Sequence, residues 1–114
     1  MKTEKNTKVM IEREPRGSLL VKHYQQEADE IVERVSEVAS LIATLEPHAG
    51  ANASARESFA EAMVFQRKAQ KALADLDKPC TRRRVQGRVV SARSNVRMAE
   101  MAAGWVSRRL GETK

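Results

Sequence analysis

Apolar residues in this chain recur at alternating steps of three and four over three long stretches, separated by short polar breaks. Between Ser18 and Glu46 the series is Val21, Tyr24, Ala28, Ile31, Val35, Val38, Ile42 and Leu45. Such spacing sets the side chains along one stripe of an α-helix, as at the a and d positions of a heptad repeat. Ser18 is a good N-cap, while Glu46-Pro47 and the turn "HAGAN" close the segment. The helix should run about 28 residues, or roughly 40 Å.

A second stripe follows "SARE", read as a capping box in which Ser54 caps and Glu57 reaches back. It comprises Phe59, Ala62, Ala69, Leu73 and Leu76, with Gln66 as its polar interruption and Met63 and Phe65 widening it. Asp77 and Pro79 mark the next break, because Asp caps well and Pro is tolerated in a first helical turn. The third stripe is Val85, Val89, Ala92, Val96, Ala99, Ala103, Val106 and Leu110, and Gly111 supplies a stop. Three helices over about 18–46, 54–77 and 80–110, joined by short turns, predict an all-α fold: an antiparallel up-down-up three-helix bundle spanning 18–112. A long helical hairpin that completes its core by dimerising is the competing architecture.

Residues 1–17 carry no helical stripe and end at Pro15 and Gly17, which reads as a basic, flexible arm. Within it, "KVMIER" is the piece able to extend and add to a partner.

Composition agrees with helices. Hydrophobic residues make up 41% and aromatic residues 4% of 114 positions, with Ala and Val abundant, whereas a sheet usually draws on more β-branched and aromatic side chains. Cys80 is the single cysteine and forms no internal disulfide, which suits a reducing compartment. No stretch reaches the roughly 18 apolar residues of a membrane span and no N-terminal run resembles a signal peptide, so a soluble, cytoplasmic protein without a membrane partner is expected.

Charge alters the picture. The net charge is +6, and it is segregated: Glu27, Asp29, Glu30, Glu33 and Glu37 crowd the first helix, while no acid occurs between Asp77 and Glu100. That gap holds Arg82, Arg83, Arg84, Arg88, Arg93 and Arg97. At about 100° per residue, Arg82, Arg83, Arg93 and Arg97 fall on one flank or the outer side of the third helix, and Arg84 and Arg88 on the other flank. Gly87, Ser91 and Ser94 project from the outer face between them, leaving room for a phosphate backbone. These six arginines are therefore the candidate anion-binding residues, with nucleic acid or a nucleoprotein as the expected partner. Beside this stands the alternative of a solvated basic face, although Asp29, Glu30, Glu33 and Glu37 point outward and cancel it only over screened distances. Base-specific reading is not expected. The glycine positions do not fit a helix-turn-helix, the first helix runs on to Leu45 where a ribbon-helix-helix would end it, and the basic stretch has no aromatic side chain on which to stack single-stranded bases.

Met98, Met101 and Trp105 define a second surface, on the outer side of the third helix near its C-terminal end and in line with Val90. Trp, Met and Arg are enriched at protein interfaces, so these three are the candidate protein-binding residues for an adaptor, chaperone or inhibitor, with the arginines steering it to an acidic protein. A homo-oligomer contact is a further use of the strip. The competing reading, favoured for Trp105, is plain core packing, since a three-helix core wants a wide apolar arc. Met101 points almost opposite the core and separates the two.

Catalytic patterns are absent from the sequence. His23, His48 and Cys80 have no metal-ligand spacing, and there is no phosphate loop or nucleophile motif. The expectation is a protein that is not an enzyme and uses no metal or cofactor; Cys80 is read as structural.

Overall fold

The computed structural model describes residues 8–15 and 17–111. Within them lie α1 (Leu19–Leu45), a 3₁₀ turn (Glu46–His48), α2 (Ala53–Asp75) and α3 (Arg82–Gly111), with no strand. The three helices pack on one another, so the third completes the core inside the chain.

Each helix end has a local cause. The Ser18 hydroxyl accepts from the Val21 N–H at 3.1 Å and starts α1. Pro47 sits in the 3₁₀ turn that ends it. For α2 the expected cap was Ser54, and the structure corrects it. Asn52, in an extended conformation, accepts from the Ala55 N–H at 2.7 Å. Asn and Ser cap about equally well, and the earlier of the two wins, which places Ser54 inside the helix. The α2–α3 break also shifts. The last helical residue of α2 is Asp75, and Thr81 Oγ1 accepts from the Arg84 N–H at 3.3 Å to begin α3. Asp77, expected to cap, instead accepts from the Lys8 N–H at 2.9 Å.

That contact belongs to a larger departure. The segment 8–12, expected to be part of a flexible arm, lies against the body in extended form. Ile11 and Cys80 form a parallel β-bridge, with the Glu12 N–H donating to the Cys80 carbonyl at 2.9 Å. Val9 and Ile11 are buried and join the core, and the Val9 N–H donates to Gln25 Oε1 at 2.8 Å. The extended piece thus adds to its own chain, over the α2–α3 connection, beside the buried Cys80. Residues 1–7 and 16 of the expected arm lie outside the described residues.

Helices α2 and α3 share the most extensive interface, and α1 packs more on α3 than on α2. The α2–α3 seam is lined with small side chains: Ala62 and Ala69 on one side and Ala92, Ala99 and Ala103 on the other, all with no exposed surface. Alanines let two helix backbones approach closely and lose little side-chain entropy on burial. The result is elongated, with principal extents of 57 × 31 × 17 Å.

Two ion pairs set α1 against α3. Arg93 pairs with Glu27. One heptad further along both helices, Arg34 gives a two-pronged pair to Glu100, with Nε–Oε2 at 3.0 Å and Nη2–Oε1 at 2.7 Å. The polarity is swapped between the two, and both advance in the same direction, so α1 and α3 run parallel. The Glu100 carboxylate holds the Arg34 pKa above its ordinary value through that hydrogen bond, against the opposing effect of burial. Both partners of this pair are about a third exposed, which limits its contribution to about 1 kcal/mol or less. Its main consequence is register.

Gln66, the polar member of the α2 stripe, is 6% exposed. Its Nε2 donates to the Val35 carbonyl at 2.9 Å, while Oε1 has no donor among the described residues. A buried acceptor without a partner costs about 1–3 kcal/mol, more than the roughly 1 kcal/mol net gain of the bond on Nε2. Gln66→Met keeps the volume and removes the orphan. Thermal denaturation should show this variant more stable by about 1 kcal/mol, near 5 °C in Tm; a fall in Tm would show the Val35 bond to be the larger effect.

Candidate nucleic-acid interface

The first half of α3 carries the six arginines, and the structure divides them. Arg82, Arg83, Arg84 and Arg97 are exposed and make no ion pair among the described residues. Arg88 is half-buried, and its Nη1 donates to the Asp75 carbonyl at 2.8 Å, closing the C-terminal end of α2. Arg93 is tied to Glu27 across the α1–α3 seam. Four arginines remain free to meet a ligand and two are part of the fold.

Position within the helix matters as much as number. Arg82, Arg83 and Arg84 occupy the first turn of α3, which has no acid. The N-terminal end of a helix carries partial positive charge, and a cation there costs about 0.3–1 kcal/mol. Three such residues, with no carboxylate beside them, stand against the stability of their own helix.

Beside them α2 and α3 enclose an open groove of about 310 Å³. Lys68 and Lys71 come from α2; Gly87, Arg88, Ser91 and Asn95 come from α3. A Cβ built on Gly87 would meet nothing within 4 Å, so packing does not require glycine at this position. A glycine inside a helix costs about 1 kcal/mol relative to alanine. Here it keeps the groove floor low between the lysines and the arginines. One acid lies within: Asp75, whose carboxylate is 3.9 Å from Lys71 Nζ and 3.7 Å from Lys78 Nζ. Asn95 Nδ2 donates to the Ser91 carbonyl at 2.9 Å and to its hydroxyl at 3.3 Å, so these two side chains are satisfied locally.

Most of the opposing charge makes no ion pair with this face. Asp29, Glu30, Glu33 and Glu37 are exposed on α1, at helical positions turned away from the core stripe. Glu27 alone of the acidic group reaches α3 in an ion pair.

The outer side of α3, chiefly in its second half, presents a different surface. Val90, Met98, Met101 and Trp105 are 51%, 43%, 52% and 42% exposed. Core packing was the favoured expectation for Trp105, and the structure overturns it. The alanines and valines of the stripe fill the space between the helices, and the indole lies outside, with the guanidinium carbons of Arg108 and Arg109 at 4.8 and 5.1 Å from its centre. Cys80 is buried and His48 is exposed, while His23 lies 3.7 Å from Glu27. Among the described residues no three His, Cys, Asp or Glu side chains are grouped to hold a metal ion. No described helix is long and apolar enough to cross a membrane.

Lys68 and Lys71 were not singled out from the sequence. They follow the α2 stripe as ordinary charged flank residues, and only the side on which α3 packs makes them neighbours of Arg88.

No protein-family model, curated protein or solved structure matches the chain.

Proposed function

We propose that this is a non-enzymatic binding protein that docks on nucleic acid through phosphate contacts, using the first half of α3 and the adjoining edge of α2. The observation that carries this reading is the unpaired Arg82, Arg83 and Arg84 in the first turn of α3. Charge kept where it destabilises its own helix is the pattern of a functional site. Lys68, Lys71, Arg88 and Arg97 extend the same field, and Gly87 and Ser91 leave space for a backbone to come close.

Duplex DNA fits better than single strands or RNA. From Arg82 to Arg97 there is no aromatic side chain for base stacking. A helix flanked by arginines on both sides can straddle the wide major groove of B-DNA, whereas the deep, narrow major groove of A-form RNA excludes it. The contact is with phosphates, so binding is expected to be largely independent of sequence.

The experiment is a titration of labelled duplex DNA, single-stranded DNA and double-stranded RNA across a salt series. About four to six phosphate contacts predict a log–log slope between about −3.5 and −5.5 for the duplex. Sub-micromolar duplex binding at low salt with that slope supports the reading. Weak binding to all three with little salt dependence overturns it.

A further inference from the structure

The apolar strip on the outer side of α3, which runs from Val90 into the second half of the helix, is not used by phosphate contacts, and it has the geometry of half an interface. Met98, Met101 and Trp105 are spaced at i, i+3 and i+7, with Val90 two turns before Met98. This is the spacing by which one helix meets another in a seam. All four side chains are between two-fifths and just over half exposed, on a helix whose other long face is already covered by α1 and α2. Methionine adapts its shape to a partner, and Trp is the residue most often found at the energetic centre of an interface.

Charge selects the occupant. At about 100° per residue, Arg97 and Arg108 run along one edge of the strip, and Arg108 already lies over the Trp105 ring. The single acid of α3, Glu100, is committed to Arg34. Two copies meeting antiparallel about a two-fold axis would set the Arg97–Arg108 edge of one against the same edge of the other. Two copies meeting parallel would bring their Arg82–Arg84 turns side by side. Either arrangement places like charges together with no free acid of α3 between them, which disfavours a second copy.

We propose that this strip docks an amphipathic helix of another protein, apolar along its centre and lined with Asp or Glu on the edge that meets Arg97 and Arg108. Met101 and Trp105 fill the centre of the contact, and the two arginines set its orientation and speed its association. The strip lies apart from the Arg82–Arg84 turn and does not depend on it; Arg97 is the one residue that it shares with the phosphate face.

Trp105 is the only tryptophan in the chain, so its emission reports on this surface directly. The probe is a synthetic 21-residue helix without Trp, with Leu at a and d and Glu on one flank. A second peptide carries Lys in place of Glu. The acidic peptide should shift the Trp105 emission to the blue and protect it from quenching. The Lys peptide should bind at least ten-fold more weakly. Met101→Asp should weaken the acidic peptide at least ten-fold; Met101 is half-exposed, and circular dichroism checks that the variant keeps its helices. Arg97→Glu with Arg108→Glu provides a second variant, in which the preference between the two peptides should reverse. Arg82→Gln, Arg83→Gln and Arg84→Gln together should leave peptide binding within about two-fold, separating this site from the phosphate face. The proposal is overturned if the two peptides bind alike, if neither binds at millimolar concentration, or if sedimentation shows the free protein self-associating at micromolar concentration with Trp105 already shielded.

Discussion

Replacing Arg82, Arg83 and Arg84 together by Gln is expected to weaken duplex DNA binding about 100-fold at low salt, an effect of about 2.7 kcal/mol. The log–log salt slope should become shallower by close to three units, because each lost phosphate contact removes about 0.9. The same variant should melt at a higher temperature than the wild type. The two signs have one origin. Arg82, Arg83 and Arg84 lie in the first turn of α3 with no acid beside them, where each cation opposes the helix dipole by about 0.3–1 kcal/mol. Gln and Arg have similar helix propensities, so the exchange removes charge and little else. All three are exposed, and the Thr81 cap that starts the helix remains. A stability gain of about 1 kcal/mol is the expected sum. Paired measurement of melting and binding gives a sharper outcome than either alone. Weaker binding in a more stable protein identifies residues retained for a ligand. Binding changed less than about three-fold would make this turn a solvated surface.

Arg88 and Arg93 would not serve the same purpose. Arg88 holds the Asp75 carbonyl at the end of α2, and Arg93 holds Glu27 of α1. Changing either alters the packing of a neighbouring helix, and a loss of binding would be ambiguous. From sequence all six arginines qualify as anion-binding candidates, since a helical wheel fixes their directions about one axis only. Which flank meets α1 and which meets α2 depends on the hand in which the three helices are arranged, and no single helix encodes that. The same gap hid Lys68 and Lys71, whose role as walls of the groove follows from the side of α2 on which α3 lies.

Other features were legible for equally physical reasons. The a/d stripes of α1 and α3 are long and regular, and their expected members coincide with buried residues from Val21 to Leu45 and from Val85 to Val106, Tyr24 being half-buried. Helix ends were read less well because competing caps lie two or more residues apart: Asn52 against Ser54, and Thr81 against Asp77. The packing of residues 8–12 on the body is not legible in the sequence because its signal is two alternating apolar residues, Val9 and Ile11, too short to register as a strand. Their burial depends on a surface formed around Leu76 and Cys80, nearly 70 residues away in the chain. Trp105 was misplaced through its size. A core of alanines and valines has no room for an indole, and helix spacing alone does not state how closely the helices approach.

That closeness makes the few large core side chains disproportionately important. Ile31→Ala is expected to destabilise the fold by about 3–4 kcal/mol, within the range for emptying a buried aliphatic site. Ile31 is 1% exposed and is among the largest side chains fully enclosed in the molecule. It sits at the middle of α1, between Ala28 and Val35, where the neighbouring core positions of α3 are valine and alanine. Small neighbours cannot swing in to fill the space left by three carbons, and the backbones of α2 and α3 are already fixed against each other by their alanine seam. The cavity should therefore persist, which places the cost toward the upper part of the range. Against a total of roughly 5–15 kcal/mol for a domain, such a loss lowers Tm by about 15 °C or more. α1 also has the smaller share of the packing, and it carries Glu27 and Arg34, the two residues that pair with α3 on either side of Ile31 in sequence. Loosening the helix at its centre should release those pairs as well, leaving Arg93 free and exposing the groove between α1 and α2 that Val35 and Leu73 line. Denaturant unfolding followed by circular dichroism measures the loss, and Leu19→Ala, at a residue 84% exposed, supplies the control with an expected change under about 0.5 kcal/mol. A loss below 1 kcal/mol for Ile31→Ala would mean that α1 closes over the space, and that the α2–α3 hairpin carries nearly all the stability on which the arginine face depends.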